Sequence, residues 1–145
     1  MSNRQNNLQR QIKTLLILTM MTLMTSIAQA DTTLPPCPKS PNCVSSQASD
    51  SHRIEPFKIS GDAQRAFAKL RTILTQRADT RVIAADDSSI RVEFRTTLGF
   101  VDDGLFVLDA ANGLIQVRSA ARLGYWDLGK NRRRMEEIRK LFLAE

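Results

Sequence analysis

The sequence predicts an α+β domain: a four-stranded antiparallel meander packed with two helices, led by a disulfide-closed loop. Three patterns predict it. Apolar residues recur at helical spacing over 62–77 and again over 131–142. Between those stretches, four short segments rich in β-branched and apolar residues are separated by turn residues. Links that short join antiparallel neighbours, because a parallel pair needs a crossover of a dozen residues or more.

Residues 1–30 read as a signal peptide and stand outside the fold. Arg4, Arg10 and Lys13 form a positive start without an acid, Leu15 to Ile27 is a short apolar run, and Ala28-Gln29-Ala30 is a small-x-small cleavage signal. The run is short of the ~20 residues that span a bilayer. An uncleaved membrane anchor is the alternative. No cysteine directly follows the small residues, and no Arg-Arg pair points to twin-arginine export. The expected location is therefore exported, periplasmic or secreted, with the membrane reached only through an uncleaved signal. Three of the 21 Lys and Arg fall in this segment and none of the 15 acids, so the formal +6 drops to about +3. That mild charge argues against a nucleic-acid partner.

Residues 31–60 form an extended N-terminal segment, and 61–145 the α+β domain, with 31–145 one folded unit. Cys37 and Cys43 are the two cysteines, and export places them where disulfides persist. A bond between them would close a small loop already stiffened by Pro35, Pro36, Pro38 and Pro41, and contribute about 2.4 kcal/mol by chain entropy. A zinc site would need His52 and a fourth ligand at an uncommon spacing, and a redox role would need C-x-x-C. Residues 52–59 are extended, with Pro56 restricting them to an edge strand. Ser60, Gly61 and Asp62 supply a helix start. Ala63, Ala66, Phe67, Leu70, Ile73 and Leu74 then mark an amphipathic helix over 62–77. Strands are expected at 81–85, 90–96, 105–109 and 114–119, with turns at 86–89 and Asn112-Gly113. Ile90, Val92 and Phe94 alternate with Arg91, Glu93 and Arg95, which predicts one packed and one polar sheet face.

The last helix poses a question. Arginines crowd its start, the positive end of the helix dipole, where cations are disfavoured. Met135, Ile138, Leu141 and Phe142 define its apolar stripe. At about 100° per residue, Asn131 points into that stripe and Arg134 lies at its edge, with Arg132 and Arg133 turned outward. A buried amide or guanidinium needs partners. Asp127 is placed to cap the helix, and Asp102 and Asp103 to approach through the sheet. Glu136 and Glu137 are expected to pair with Lys140 or Arg133.

Three blocks, CPKSPNCVSS (37–46), GFVDDGLFVLD (99–109) and VRSAARLGYWDLGKNRRRMEEIR (117–139), carry a resemblance. The chain resembles the bacterial and plastid family called domain of unknown function 1499, from Cys37 to about Phe142. The resemblance implies a compact α+β domain, often exported or membrane-tethered, and implies no activity. Ala121 stands where the family usually has Ser, which removes a hydroxyl nucleophile there. Gly104 or Leu105 stands where it often has an acid.

The candidate constellation is Asp102, Asp103, Arg118, Ser119, Arg122, Tyr125, Asp127, Asn131 and Arg132 or Arg134. Arginine suits bidentate recognition of carboxylate, phosphate or sulfate. One reading is an internal Asp–Arg–Asn network that fixes the last helix to the sheet. The other is a binding site for a small anionic ligand formed by Arg118, Arg122 and Asn131, oriented by Asp102 and Asp103. Tyr125 and Trp126, the sole Tyr and Trp, either anchor a ligand or an envelope protein, or cover the core. A hydrolase triad lacks a positioned histidine, since His52 stands alone on a polar segment. There is no calcium-loop spacing and no phosphate-cradling glycine loop, so no cofactor or metal is expected. The expected function is a non-catalytic envelope binding or structural module. The alternative is a small hydrolase or metal-dependent enzyme built on the Asp102/Asp103 pair.

Overall fold

A computed structural model of the chain describes residues 4–7, 9–11, 13 and 31–144. The apolar run 15–27 and the cleavage signal 28–30 lie outside the described residues. From residue 31 the order is β1 (Cys43–Ser45), β2 (Phe57–Lys58), α1 (Ala63–Gln76), β3 (Thr80–Ala85), β4 (Ser89–Arg95) and β5 (Val101–Asp109). A short 3-10 turn (Ala110–Asn112), β6 (Leu114–Ala121) and α2 (Lys130–Leu143) complete it. The fold is α+β, with one antiparallel sheet and both helices on one face.

The expected meander is the sequence β3-β4-β5-β6, and its register is continuous across β4, β5 and β6. The sheet has six strands rather than four. The two additions are β1 and β2, which share the free edge of β6. β1 pairs Val44 with Ser119, and β2 pairs Phe57 with Ile115. Neither is long enough to alternate, so neither carries a periodic signal of its own. β5 also begins at Val101, four residues before its expected start. Asp-Asp-Gly has the composition of a turn, yet each residue there faces a strand partner on both sides.

The core lies between the inner sheet face and the helices. Ile90, Val92 and Phe94 of β4, Phe106 and Leu108 of β5, and Ile115 and Val117 of β6 are buried there. Phe67, Leu70 and Leu74 of α1 and Met135, Ile138 and Phe142 of α2 close over them. Asp62 caps α1, its carboxylate accepting from the Arg65 N–H at 2.7 Å. Leu141, expected in the apolar stripe of α2, is exposed, because the last turn keeps only Phe142 against the sheet. Glu136 pairs instead with Arg139 at 2.9 Å, and Glu137 approaches Arg77 at 3.7 Å. An i,i+3 neighbour and a residue past the end of α1 are nearer than Lys140 or Arg133.

Gly104 sits at the centre of the inner face. A Cβ there would lie 2.4 Å from Cε2 of Phe94 and 2.6 Å from Cγ2 of Val92. The aromatic ring fills the space a side chain would need. In β3 the register shifts between Val82 and Ala84, and the extra residue, Ile83, is left exposed on the outer face.

Cys37 and Cys43 form a disulfide with an S–S length of 2.05 Å. The bonded sulfurs are unavailable as thiolate ligands. His52 is buried beside the loop, with Nδ1 2.9 Å from Asp50 Oδ1 and Nε2 3.1 Å from the Ser40 carbonyl. Arg132 donates to the carbonyls of Arg53 and Ser51, which ties this segment to the start of α2. No helix among the described residues is long and apolar enough to cross a membrane.

Candidate functional site

Successive strand residues face opposite sides of a sheet. That rule divides the candidate residues into two groups. Asp102, Ser119, Asn131, Arg134 and Asp127 meet on the inner face. Asp103, Arg118 and Arg122 meet on the outer face. Adjacent in sequence, Asp102 and Asp103 therefore share no pocket.

The inner group is buried and closely bonded. Asn131 has no exposed surface, and Arg134 retains 4 %. Arg134 Nη2 donates to Asp102 Oδ2 at 2.8 Å, and its Nη1 to Asn131 Oδ1 at 3.0 Å. Its guanidinium also lies 4.5 Å from the centroid of the Phe94 ring. The Ser119 hydroxyl donates to the same Asn131 oxygen. Asn131 Nδ2 donates to Asp127 Oδ2 at 2.8 Å and to the Asn42 carbonyl at 3.2 Å. Asp127 also accepts the Asn131 and Gly129 N–H groups, both at 2.8 Å. A carboxylate thus covers the positive end of the α2 dipole, which makes its arginine-rich start tolerable. Asp79, 3.9 Å from Arg134 Nε, is the nearest further acid. Burial acts to raise its pKa, but hydrogen bonds from Arg77 and Thr80 outweigh this and hold it below the ordinary value.

In the outer group Asp103 and Arg122 are open to solvent, and Arg118 is half-buried. Register places Arg91, Leu105, Arg118 and Ser45 in one row across β4, β5, β6 and β1. Glu93 and Asp103 form the next row. Arg122 reaches over this second row. Its Nη2 is 2.7 Å from both Asp103 Oδ1 and Glu93 Oε1, and Nε is 3.1 Å from both Asp103 oxygens. The Asp103 hydrogen bond, then that of Glu93, raises the Arg122 pKa further above its ordinary value.

Arg118 is in a different state. Nη2 donates to the Pro36 carbonyl at 3.2 Å, but Nε is buried with no hydrogen-bond acceptor. Burial lowers its pKa, opposed by the charge of Asp103. Its guanidinium borders a groove of about 340 Å³ lined by Ile83, Arg91, Asp103, Leu105 and Arg122.

Tyr125 and Trp126 belong to neither group. Both are exposed in the loop before α2, and neither covers the core. Neither ring nitrogen of His52 meets a serine hydroxyl, since they face Asp50 Oδ1 and the Ser40 carbonyl; Ser46 Oγ donates to Gln116, and Ser119 to Asn131. Among the described residues, no group of three or more His, Cys, Asp or Glu is placed to hold a metal ion. Four participants escaped the sequence reading. Asn42 supplies a carbonyl from a proline-bracketed loop and carries no pattern that marks it. Glu93, Arg91 and Leu105 are visible as alternating strand positions, but grouping them requires the register.

No curated protein and no solved structure matches the chain. A family model matches residues 33–142, which takes in β1 through all but the last residue of α2, the disulfide and both residue groups. The chain belongs to the family described as Protein of unknown function (DUF1499).

Proposed function

We propose that the chain is an exported, non-catalytic binding module of the cell envelope or periplasm, and that its outer sheet face takes an anionic group at Arg118. The single observation that carries this reading is the buried Arg118 Nε without an acceptor. A buried donor left unbonded costs about 1–3 kcal/mol, more when the group is charged. A carboxylate, phosphate or sulfate oxygen in the groove would satisfy it once the guanidinium turns toward the groove. Arg91 lies two strands away in the same row, about 10 Å by strand spacing, with Leu105 between them. The ligand that fits is an anionic head with an apolar body resting on Leu105 and Ile83. Arg122 is already held by two carboxylates, so its role is to keep Asp103 and Glu93 from repelling the anion.

Removal of residues 1–30 on export belongs to the same reading, and N-terminal sequencing of the purified protein, expected to begin at Asp31, checks it. The binding claim is tested by calorimetric titration with inorganic phosphate, sulfate, citrate and an alkyl phosphate at constant ionic strength. Saturable binding is expected, strongest for the alkyl phosphate and weakened tenfold or more in Arg118→Met, the value of about one charged hydrogen bond. Equal affinity in wild type and Arg118→Met, or no saturable heat for any anion, overturns it.

A further inference from the structure

Two loops meet at the end of the sheet where β5 begins and β6 ends. The loop 96–100 carries Leu98 and Phe100, and the loop 122–129 carries Leu123, Tyr125, Trp126 and Leu128. The Arg122 N–H donates to the Val101 carbonyl at 3.2 Å. That bond extends the β5–β6 ladder and brings Phe100 and Leu123 to adjoining positions. All six side chains are exposed, from 51 % at Phe100 to 84 % at Leu98. A group of large apolar side chains on one projecting end needs an explanation that a single exposed leucine does not.

The exposure is built in. Asn42 donates to the Gly124 carbonyl, Arg133 Nη1 to the Leu128 carbonyl at 2.7 Å, and Asp127 holds the Gly129 and Asn131 amides. Leu128 takes φ 55°, a left-handed conformation that L side chains disfavour. The backbone of the second loop is thus pinned with its apolar side chains turned to solvent. Lys130 and Arg133 stand on the first turn of α2 behind them, in a groove shared with Asp79 and Glu137, both of which pair with Arg77; Arg95, at the end of β4, is 3.7 Å from Glu93. Asp127 is the sole acid in either loop, and its carboxylate is engaged inward.

We propose that this end of the molecule docks on an anionic phospholipid surface. Trp126 and Tyr125 would sit at the headgroup level, where amphipathic rings are favoured. Leu98, Phe100, Leu123 and Leu128 would reach the acyl boundary, with Lys130 and Arg133 against lipid phosphates. The apolar tip with cations behind it is the charge arrangement such a surface requires. A protein partner is the less suited occupant, because a stable interface of about 800 Å² per side needs a broader and more continuous patch than two loop tips. The proposal does not depend on the groove at Arg118.

Trp126 is the single tryptophan, so its fluorescence reports the tip directly. The full chain would be mixed with phosphatidylglycerol–phosphatidylcholine vesicles and with pure phosphatidylcholine vesicles. Sedimentation alone is not the readout, since the leading apolar run can itself bind lipid. Expected are a blue shift of Trp126 emission on the anionic vesicles, quenching by lipids brominated near the headgroup end of the chain, and a weaker shift on neutral vesicles. Lys130→Gln should raise the lipid needed about fivefold, the effect of one basic residue near the surface. A Leu123→Ser, Leu128→Ser double variant with unchanged circular dichroism should lose the shift. Trp126 emission that keeps its solvent value on anionic vesicles overturns the proposal, whether or not the chain sediments. If that unshifted emission becomes blue only with a protein partner, the tip is a protein interface.

Discussion

Asn131 occupies a helix position where an apolar side chain would normally pack, and it uses both ends of its amide. Its oxygen accepts from Ser119 and Arg134, and its nitrogen donates to Asp127 and Asn42. This much was legible in the sequence, because the helical angle places residue 131 inside the stripe of Met135 and Ile138. The partner of Arg134 was legible only as a choice between two aspartates. Strand register decides it, since Asp102 faces inward and Asp103 outward. The Asp102–Arg134 pair is 4 % exposed on both sides, so each charge depends on the other. Arg134→Met alone leaves a buried carboxylate unpaired and should destabilise the protein by about 3–5 kcal/mol. The double variant Asp102→Leu, Arg134→Met removes both charges and should recover most of that loss. Chemical denaturation of the two variants checks this. Equal destabilisation of both would show that the charges are not coupled.

At the scale of elements, the meander and both helices follow from periodicity, whereas β1 and β2 do not. A three-residue and a two-residue strand are recruited by the open edge of β6 rather than specified by their own pattern. What secures them is a set of contacts between distant residues, Ser46 with Gln116 and Val117 and Arg132 with Ser51 and Arg53, and His52 fixes the loop between β1 and β2. Both of its ring nitrogens face acceptors, Asp50 Oδ1 and the Ser40 carbonyl. A neutral imidazole can donate through one nitrogen, and the imidazolium through both. The Asp50 hydrogen bond, with the Ser40 carbonyl, therefore raises the His52 pKa above 6.5, against burial and the nearby Arg132 charge. A raised folded-state pKa gives stability that is fully present below the unfolded value of 6.5. It is lost as pH rises through the folded value. Tm should fall as pH is taken from about 6 to 8, and His52→Gln should flatten that slope. A slope unchanged in His52→Gln would assign it to another group.

At the scale of the molecule, the sheet acts as a partition. Arginines that crowd one stretch of sequence are sent to different environments: Arg134 into a closed network, Arg122 onto two exposed carboxylates, and Arg118 to the wall of a groove with one N–H unbonded. The sequence reading grouped them because they are close along the chain. The side of the sheet, and so the role of each, depends on a register that a single strand does not encode. One arginine is therefore tied into the fold, and the proposed function assigns another to a ligand. Thermal unfolding of Arg134→Met and Arg118→Met, each with and without an alkyl phosphate at constant ionic strength, tests that division most directly. The account predicts that Arg134→Met unfolds more than 10 °C below wild type, as a loss of about 3 kcal/mol implies for a domain of this size. Arg118→Met removes a buried unbonded donor, so it should match or exceed the wild-type Tm in plain buffer and lose the ligand-induced rise. A ligand-induced rise that survives in Arg118→Met, or an Arg118→Met protein as destabilised as Arg134→Met, would contradict it.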